Sequence, residues 1–331
     1  MTTRVVLCFP VEPHHVRQME AVGTDLELVD AGQRRIGEEI LRADLFCGHA
    51  KVPVPWDEVV RQGRLRWIQS SAAGMDHCLT PEVVASDIVV TSASGLFANQ
   101  VAEQTLALVL GLIRNLPTSF RQQQAKRFER HATSDLHGRT VGIVGLGGNG
   151  RRLVDLFAAF GTRVLATDLL MDHPPAAVEK LYAADQLNLL LPQVDILVLA
   201  VPLTAQTHGM IDRQALARLP KGAWLINVAR GQVVVEADLV EALQSGHLGG
   251  AGLDVTEIEP LPATSPLWTM PNVIITPHMG ALSDRRTDDT VDFFCENLRR
   301  WRTQQPLLNL VDKQLGFPRQ HLDWTKATWR R

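Results

Sequence analysis

Gly145-Leu146-Gly147-Gly148-Asn149-Gly150 follows the apolar run Val141-Gly142-Ile143-Val144 and precedes a helical pattern that begins at Arg151. Strand, glycine-rich turn and helix in that order read as a dinucleotide-binding turn. Gly145 permits the tight bend, Gly147 lets backbone approach a pyrophosphate, and Gly150 lets helix pack closely on strand, with the anion at the helix N-terminus. A second apolar run, Thr162-Arg163-Val164-Leu165-Ala166-Thr167, ends in Asp168, where a ribose 2′-hydroxyl needs an acceptor. A plain glycine-rich loop before an ordinary strand-end aspartate would use the same residues. It is the complete order of elements that favours the nucleotide reading.

The chain has 331 residues, longer than a single core usually grows, so two domains are expected. Its net charge of -3 and pI near 6.4 supply no general attraction to nucleic acid or an anionic membrane. Small molecules are the expected ligands. Cys8, Cys47, Cys78 and Cys295 are scattered, with no CxxC pair, and read as reduced packing thiols rather than disulfides or metal ligands. The first apolar run, Val5-Val6-Leu7-Cys8-Phe9 before Pro10, is too short for a secretory h-region and reads as a strand. Val101 to Ile113 carries Glu103 and Gln104 and is shorter than the ~20 residues that span a bilayer. A cytoplasmic location is the expectation.

Before the glycine turn, strand-like runs at Arg4-Phe9, Asp25-Val29, Leu45-Cys47, Leu65-Gln69 and Ile88-Thr91 alternate with helical stretches such as Pro13-Val22 and Asp57-Arg61. That alternation predicts a parallel βα unit. Asn99 stands as a helix cap, with Glu103 one turn in, and the helix runs to about Arg114. After the turn come Val194-Val201, Ala223-Val228, Gly250-Val255 and Val273-Thr276, a second doubly wound sheet. From Ser283, Val291, Phe294, Leu298 and Trp301 share one helical face, and the chain then returns to the first domain. The fold class is α/β, with a Rossmann domain inserted into a flavodoxin-like substrate domain. Residues 1–99 open the substrate domain, 100–283 form the dinucleotide domain, and 284–331 form the closing helix and tail. Crossings near Phe97-Gln100 and Gly280-Asp284 would hinge over a cleft where substrate meets nicotinamide.

Three polar residues follow apolar strands: Arg230 after Leu225-Ile226-Asn227-Val228-Ala229, Glu259 after Gly252-Leu253-Asp254-Val255, and His278 after Ile274-Ile275-Thr276-Pro277. In an open parallel sheet that edge is where ligands bind. Hydride transfer to a 2-keto acid needs a cation for the carboxylate, a proton donor for the alkoxide, and a group that keeps the donor protonated. Arg230 offers a planar fork for the first task, His278 the proton, and Glu259 the support for an imidazolium. Taken singly, each has a plain reading, as a surface arginine, a packing histidine and a solvated loop carboxylate beside Glu257.

Asn227-Val228-Ala229-Arg230-Gly231, Leu253-Asp254-Val255 with Glu259-Pro260-Leu261, and Thr276-Pro277-His278-Met279-Gly280 resemble, in order and spacing, the signatures of the D-isomer-specific 2-hydroxyacid dehydrogenases. The resemblance reaches Ala73-Gly74-Met75-Asp76 as substrate loop, Val101-Ala102-Glu103 as interdomain helix, and Val201-Pro202-Leu203-Thr204 with Thr207 as the cofactor-side strand end. It implies Arg230 as substrate anchor, His278 as proton carrier and Glu259 as its partner. On the cofactor side it implies Gly145, Gly147, Gly148, Asn149 and Gly150 at the pyrophosphate, Asp168 at the ribose, and Pro202, Thr207, Val228, Ala229, Asp254 and Gly280 along the dinucleotide. The backbone amides of Ala73 and Gly74 would meet the substrate carboxylate, although a plain tight turn has the same composition. His49 and His77 read as structural, since nothing in their spacing pairs them.

Asn149 departs from the apolar residue the family often carries, so helix packing is looser there or the amide contacts phosphate. Leu169-Leu170-Met171-Asp172 holds no arginine for a 2′-phosphate and Asp168 would repel one, which predicts NAD over NADP. The expected reaction interconverts a D-2-hydroxy acid and its 2-keto acid, of the glyoxylate or hydroxypyruvate kind, in a homodimer. Two other readings stay open: an NAD(H)-sensing scaffold like the dehydrogenase-like corepressors, and a short phosphoglycerate dehydrogenase. The basic, aromatic tail Phe317 to Arg331 would fold over a neighbouring subunit or the cleft, or fray.

Overall fold

Alternation along the first strands buries both faces of a sheet. The computed structural model of the chain describes residues 2–320. Residues up to Phe97 and from Ser283 onward form one unit, and Ala98–Leu282 forms the other.

In the first unit five strands, β1 (Thr3–Cys8), β2 (Leu26–Asp30), β3 (Leu45–Gly48), β4 (Trp67–Ser70) and β5 (Val89–Thr91), form a parallel sheet of order β2-β1-β3-β4-β5. Val5, Leu7, Leu45, Cys47 and Trp67 face Met19, Val291, Phe294 and Leu298. The alternate residues Val6, Cys8, Phe46, Ile68 and Val90 face Ile36, Ile40, Trp56, Val59 and Val83. The period-2 pattern thus fills two layers at once. The closing helix Arg286–Arg302 stacks Phe294 and Trp301 against Trp67, with ring centroids 5.5 and 5.4 Å away. His15 fastens the helix Pro13–Glu20 to it. Its Nδ1 accepts from the Glu12 amide at 3.0 Å, which leaves the proton on Nε2, 2.8 Å from Asp288 Oδ1. His14, His15 and Asp288 place their donor atoms within 4.8 Å, but a protonated Nε2 is a hydrogen-bond donor rather than a metal ligand.

The second unit carries β6 (Thr140–Val144), β7 (Arg163–Asp168), β8 (Val178–Ala183), β9 (Ile196–Leu199), β10 (Trp224–Asn227), β11 (Gly250–Leu253) and β12 (Val273–Ile275) in the order β12-β11-β10-β9-β6-β7-β8. All neighbours are parallel. Strand order reverses between β6 and β9, the switch point at which doubly wound sheets bind ligands. Ile143, Val164, Ile196, Val198 and Ile226 pack under helices Ala98–Ile113 and Gly148–Ala159, while Leu165, Leu197, Leu225 and Leu253 fill the opposite layer.

Several elements differ from expectation. β8 has no apolar run to announce it; it is an edge strand whose Glu179 pairs with Arg163 across β7. Asn99 lies inside a helix that already begins at Ala98, so it is not the cap. The closing helix starts at Arg286, three residues after Ser283. Of the tail, Phe317–Pro318 pairs antiparallel with Val311–Asp312 and Arg319 bonds Asp312 at 2.7 Å; Trp324, Lys326, Trp329, Arg330 and Arg331 lie outside the described residues. All four cysteines are buried, and burial pushes the Cys78 thiol well up, which keeps it protonated. Among the described residues no helix is long and apolar enough to cross a membrane.

Candidate active site

The glycine turn has the geometry its sequence requires. Gly145 sits at φ +99°, and a Cβ there would lie 2.8 Å from the Ala200 carbonyl oxygen. A Cβ on Gly150 would meet the Gly145 carbonyl oxygen at 1.9 Å. Gly147, by contrast, has nothing within 4 Å of a notional Cβ, so the outer side of the turn lies open at the N-terminus of helix Gly148–Ala159. That opening fits a pyrophosphate: bare backbone, a helix N-terminus and no side chain in the way. Asp168, at the end of β7, braces the turn by accepting from the Leu146 amide at 2.5 Å and the Leu170 amide at 2.7 Å. Arg151 bonds the Leu146 carbonyl at 3.1 Å and the His173 carbonyl at 2.9 Å, so a cation from the helix and Asp168 hold the two backbone groups of the same residue. Reading only the segment after Asp168 missed it, because it comes from the helix before. Beyond β9, Thr207 donates to the Pro202 carbonyl at 2.6 Å and accepts from the Thr204 amide at 2.8 Å, closing that strand-end loop.

After β11 and β12 the chain builds a braced turn around Asp254. Its buried carboxylate accepts from Thr276 Oγ1 at 2.6 Å, the Met279 amide at 3.0 Å and the Gly280 amide at 2.8 Å. Three donors stabilise a charge that burial alone would disfavour. The His278 amide donates to the Asp254 carbonyl at 2.7 Å, and Gln104 fixes Thr276 at 3.0 Å. A Cβ on Gly280 would lie 2.8 Å from Asp254 Oδ2. Within this brace His278 adopts φ +50°, a left-handed conformation a histidine rarely takes.

His278 Nδ1 lies 2.8 Å from Glu259 Oε2. The Glu259 carboxyl is pushed up by partial burial, but the hydrogen bond and charge of His278, the Thr256 amide and the Arg230 charge outweigh that and hold it below its ordinary value. Arg230 is therefore near enough for Glu259 to feel it. Asn227 shapes the Arg230 turn, accepting from the Ala229 amide at 3.0 Å and donating to the Arg230 carbonyl at 2.9 Å, while Arg230 Nη1 bonds the Ala229 carbonyl at 2.8 Å. A Cβ on Gly231 would fall 1.8 Å from the Thr256 carbonyl oxygen, so this turn and the Glu259 loop touch through bare backbone. Sequence reasoning named Arg230, Glu259 and His278, yet it missed the supports Asn227, Gln104 and Thr256. Asn227 and Thr256 show in the sequence only as short polar residues at or after strand ends, and Gln104 only as a polar residue within the helix Ala98–Ile113.

In the other unit, Ala73 and Gly74 follow β4. Ser70 Oγ accepts from the Ala72 amide at 3.0 Å and lies 3.3 Å from His77 Nε2. His49 and His77, unpaired by spacing, have ring centroids 4.2 Å apart because they leave the ends of neighbouring strands β3 and β4. Arg286 lies over the Phe97 ring at 4.5 Å and reaches the Ser71 carbonyl at 3.4 Å.

Residues 106–280 match the family model described as D-isomer specific 2-hydroxyacid dehydrogenase, NAD binding domain. An uncharacterized protein of Corynebacterium melassecola is 30% identical over 312 residues, 93% of this chain and 99% of its own. A D-3-phosphoglycerate dehydrogenase of Methanocaldococcus jannaschii is 29% identical over 299 residues, 90% of this chain, which spans 57% of that relative's length. Among solved structures, an NADPH-dependent glyoxylate/hydroxypyruvate reductase from Sinorhizobium meliloti, in complex with NADP and sulfate, superimposes with a TM-score of 0.80 at 28% identity, covering 96% of this chain and all of its own.

Proposed function

We propose, since the chain belongs to the D-isomer-specific 2-hydroxyacid dehydrogenase family, that it interconverts a small D-2-hydroxy acid and its 2-keto acid with a nicotinamide dinucleotide. What carries the reading is the 2.8 Å contact between His278 and Glu259, with the Arg230 charge beside it, at the downstream edge of a sheet whose glycine turn fits a pyrophosphate. When bound, the reduced dinucleotide supplies the hydride to the carbonyl carbon. The residues then divide the remaining work. Arg230 holds the substrate carboxylate with its planar fork. Glu259 occupies His278 Nδ1, so Nε2 is the atom that passes a proton to the forming alkoxide, or takes one from the hydroxyl in reverse. The backbone amides of Ala73 and Gly74 are assigned by family resemblance to the same carboxylate.

Glu259 tests the electrostatic part. Because its folded value is depressed, it stays ionised at and somewhat below its ordinary 4.5, and its support for the imidazolium is lost only as pH falls through that lowered value. Glu259→Gln removes the charge and leaves an acceptor. Its keto-acid reduction should fall by about 10- to 100-fold at neutral pH. Wild-type turnover in this variant would remove Glu259 from the mechanism.

For the cofactor, Asp168 favours NAD by repelling a 2′-phosphate. Arg151 and the NADP-bound S. meliloti relative favour the phosphorylated form as a second reading. Steady-state rates with NADH and NADPH, across glyoxylate, hydroxypyruvate, pyruvate and 3-phosphohydroxypyruvate, should give oxidation of NADH by at least one unphosphorylated acid, at higher kcat/KM than NADPH. Equal or better efficiency with NADPH would transfer the role to Arg151. Binding of either dinucleotide with no acid reduced would favour the sensing scaffold.

A further inference from the structure

The loop that presents Glu259 has little to hold it in place by packing. Residues 257–260 are all exposed, and exposed loops of this kind open locally at low free energy. Yet Glu259 must stay within hydrogen-bond reach of His278. The tie comes from the preceding helix. Glu236, the first residue of helix Glu236–Gln244, donates its amide to Glu257 Oε2 at 3.1 Å, and Glu257 donates its amide to Glu236 Oε2 at 3.1 Å. Two carboxylates thus grip each other's backbone. Gln232 adds a bond to the Glu257 carbonyl at 2.8 Å, the Thr256 hydroxyl donates to the Ile258 carbonyl at 2.9 Å, and the Thr256 amide reaches Glu259 Oε1 at 3.2 Å. The bare Gly231 backbone lies against the Thr256–Glu257 peptide. Facing carboxylates repel, and here each is offset by an N–H, with the helix N-terminus favouring both charges.

We infer that Glu236, through its reciprocal hydrogen bonds with Glu257, is a positioning residue that fixes the Glu259 carboxylate against His278. It rests on the dehydrogenase reading for its catalytic consequence, and on geometry alone for its mechanical one. The grip is a matter of hydrogen-bond acceptors. Alanine at 236 frees the Glu257 amide while leaving the Glu236 backbone bond in place, glutamine keeps an acceptor of the same length, and aspartate withdraws it by one methylene.

Three readouts on the full chain test this. Hydrogen–deuterium exchange of the peptide covering 254–260 should rise several-fold in Glu236→Ala, stay at the wild-type level in Glu236→Gln, and lie between in Glu236→Asp. Turnover should fall about tenfold in Glu236→Ala with KM for the keto acid changed less than about threefold, since a displaced Glu259 impairs proton transfer rather than substrate binding. Glu236→Gln should restore it, and NADH affinity by fluorescence should be unchanged throughout. Should Glu236→Ala not fold, Glu236→Asp carries the same exchange and turnover comparison. Unchanged exchange in the alanine and aspartate variants overturns the inference, as does a glutamine variant as impaired as alanine, which would make charge and not the hydrogen bond the cause. If wild type reduces no keto acid the function falls, while the exchange result still decides the grip.

Discussion

His278→Ala is expected to lower turnover in keto-acid reduction by about a thousandfold while NADH binds within a few-fold of wild type. The imidazole lies 2.8 Å from Glu259, and its side chain is about half exposed, so its removal creates no core cavity to unfold the unit. The loss should appear in kcat and kcat/KM alike, because proton transfer belongs to the transition state and contributes nothing to dinucleotide binding. Stopped-flow fluorescence separates the two: an intact binding phase followed by a slowed hydride step is the expected record. Turnover within tenfold of wild type would mean that the proton travels by another route and that the Arg230, Glu259 and His278 assignment is wrong.

Gly150→Ala should be among the most damaging single methyl groups in the dinucleotide unit. The new Cβ would stand 1.9 Å from a backbone carbonyl, where no side-chain rotation relieves the contact, so the turn itself must move. Overpacking of well-filled sites costs about 1–3 kcal/mol, and a backbone clash belongs at the top of that range. Because the displaced atoms belong to Gly145, the turn would lose the bare surface that meets the pyrophosphate, and NADH affinity should drop on the order of 100-fold, about 2.7 kcal/mol. Calorimetry and fluorescence titration measure both effects. Alanine at 147 is the matched control for stability alone, since open space surrounds that position in the free protein while a bound pyrophosphate would meet its methyl group. A Gly150→Ala variant with wild-type affinity would show that this turn is not the nucleotide cradle.

The fold was legible wherever a strand is buried on both faces. Val141 to Val144 and Leu225-Ile226 are apolar because helices cover both sides of the sheet, and such runs mark central strands directly. β8 escaped notice for the converse reason: an edge strand has one wet face, and Glu179 and Lys180 hide its period. Helix starts were legible only approximately, as at Asn99, where an asparagine with good capping chemistry sits one residue inside the helix. In the site, the proton carrier and its carboxylate could be named because each follows a strand in a recognisable phrase. The contacts that aim them could not. The resemblance assigns Asp254 to the cofactor, but nothing in the sequence announces that its carboxylate accepts from three donors of the His278 turn, and the His49–His77 stack depends on the neighbourhood of β3 and β4, which spacing does not encode.

The left-handed backbone of His278 sets a trade between durability and activity. Held at φ +50° by the Asp254 brace, this position would be more comfortable as glycine or asparagine, residues that visit that region at little cost. Selection for heat resistance alone would therefore drift away from histidine here, and a thermally improved variant altered at 278 would be a better-folded protein with its chemistry discarded.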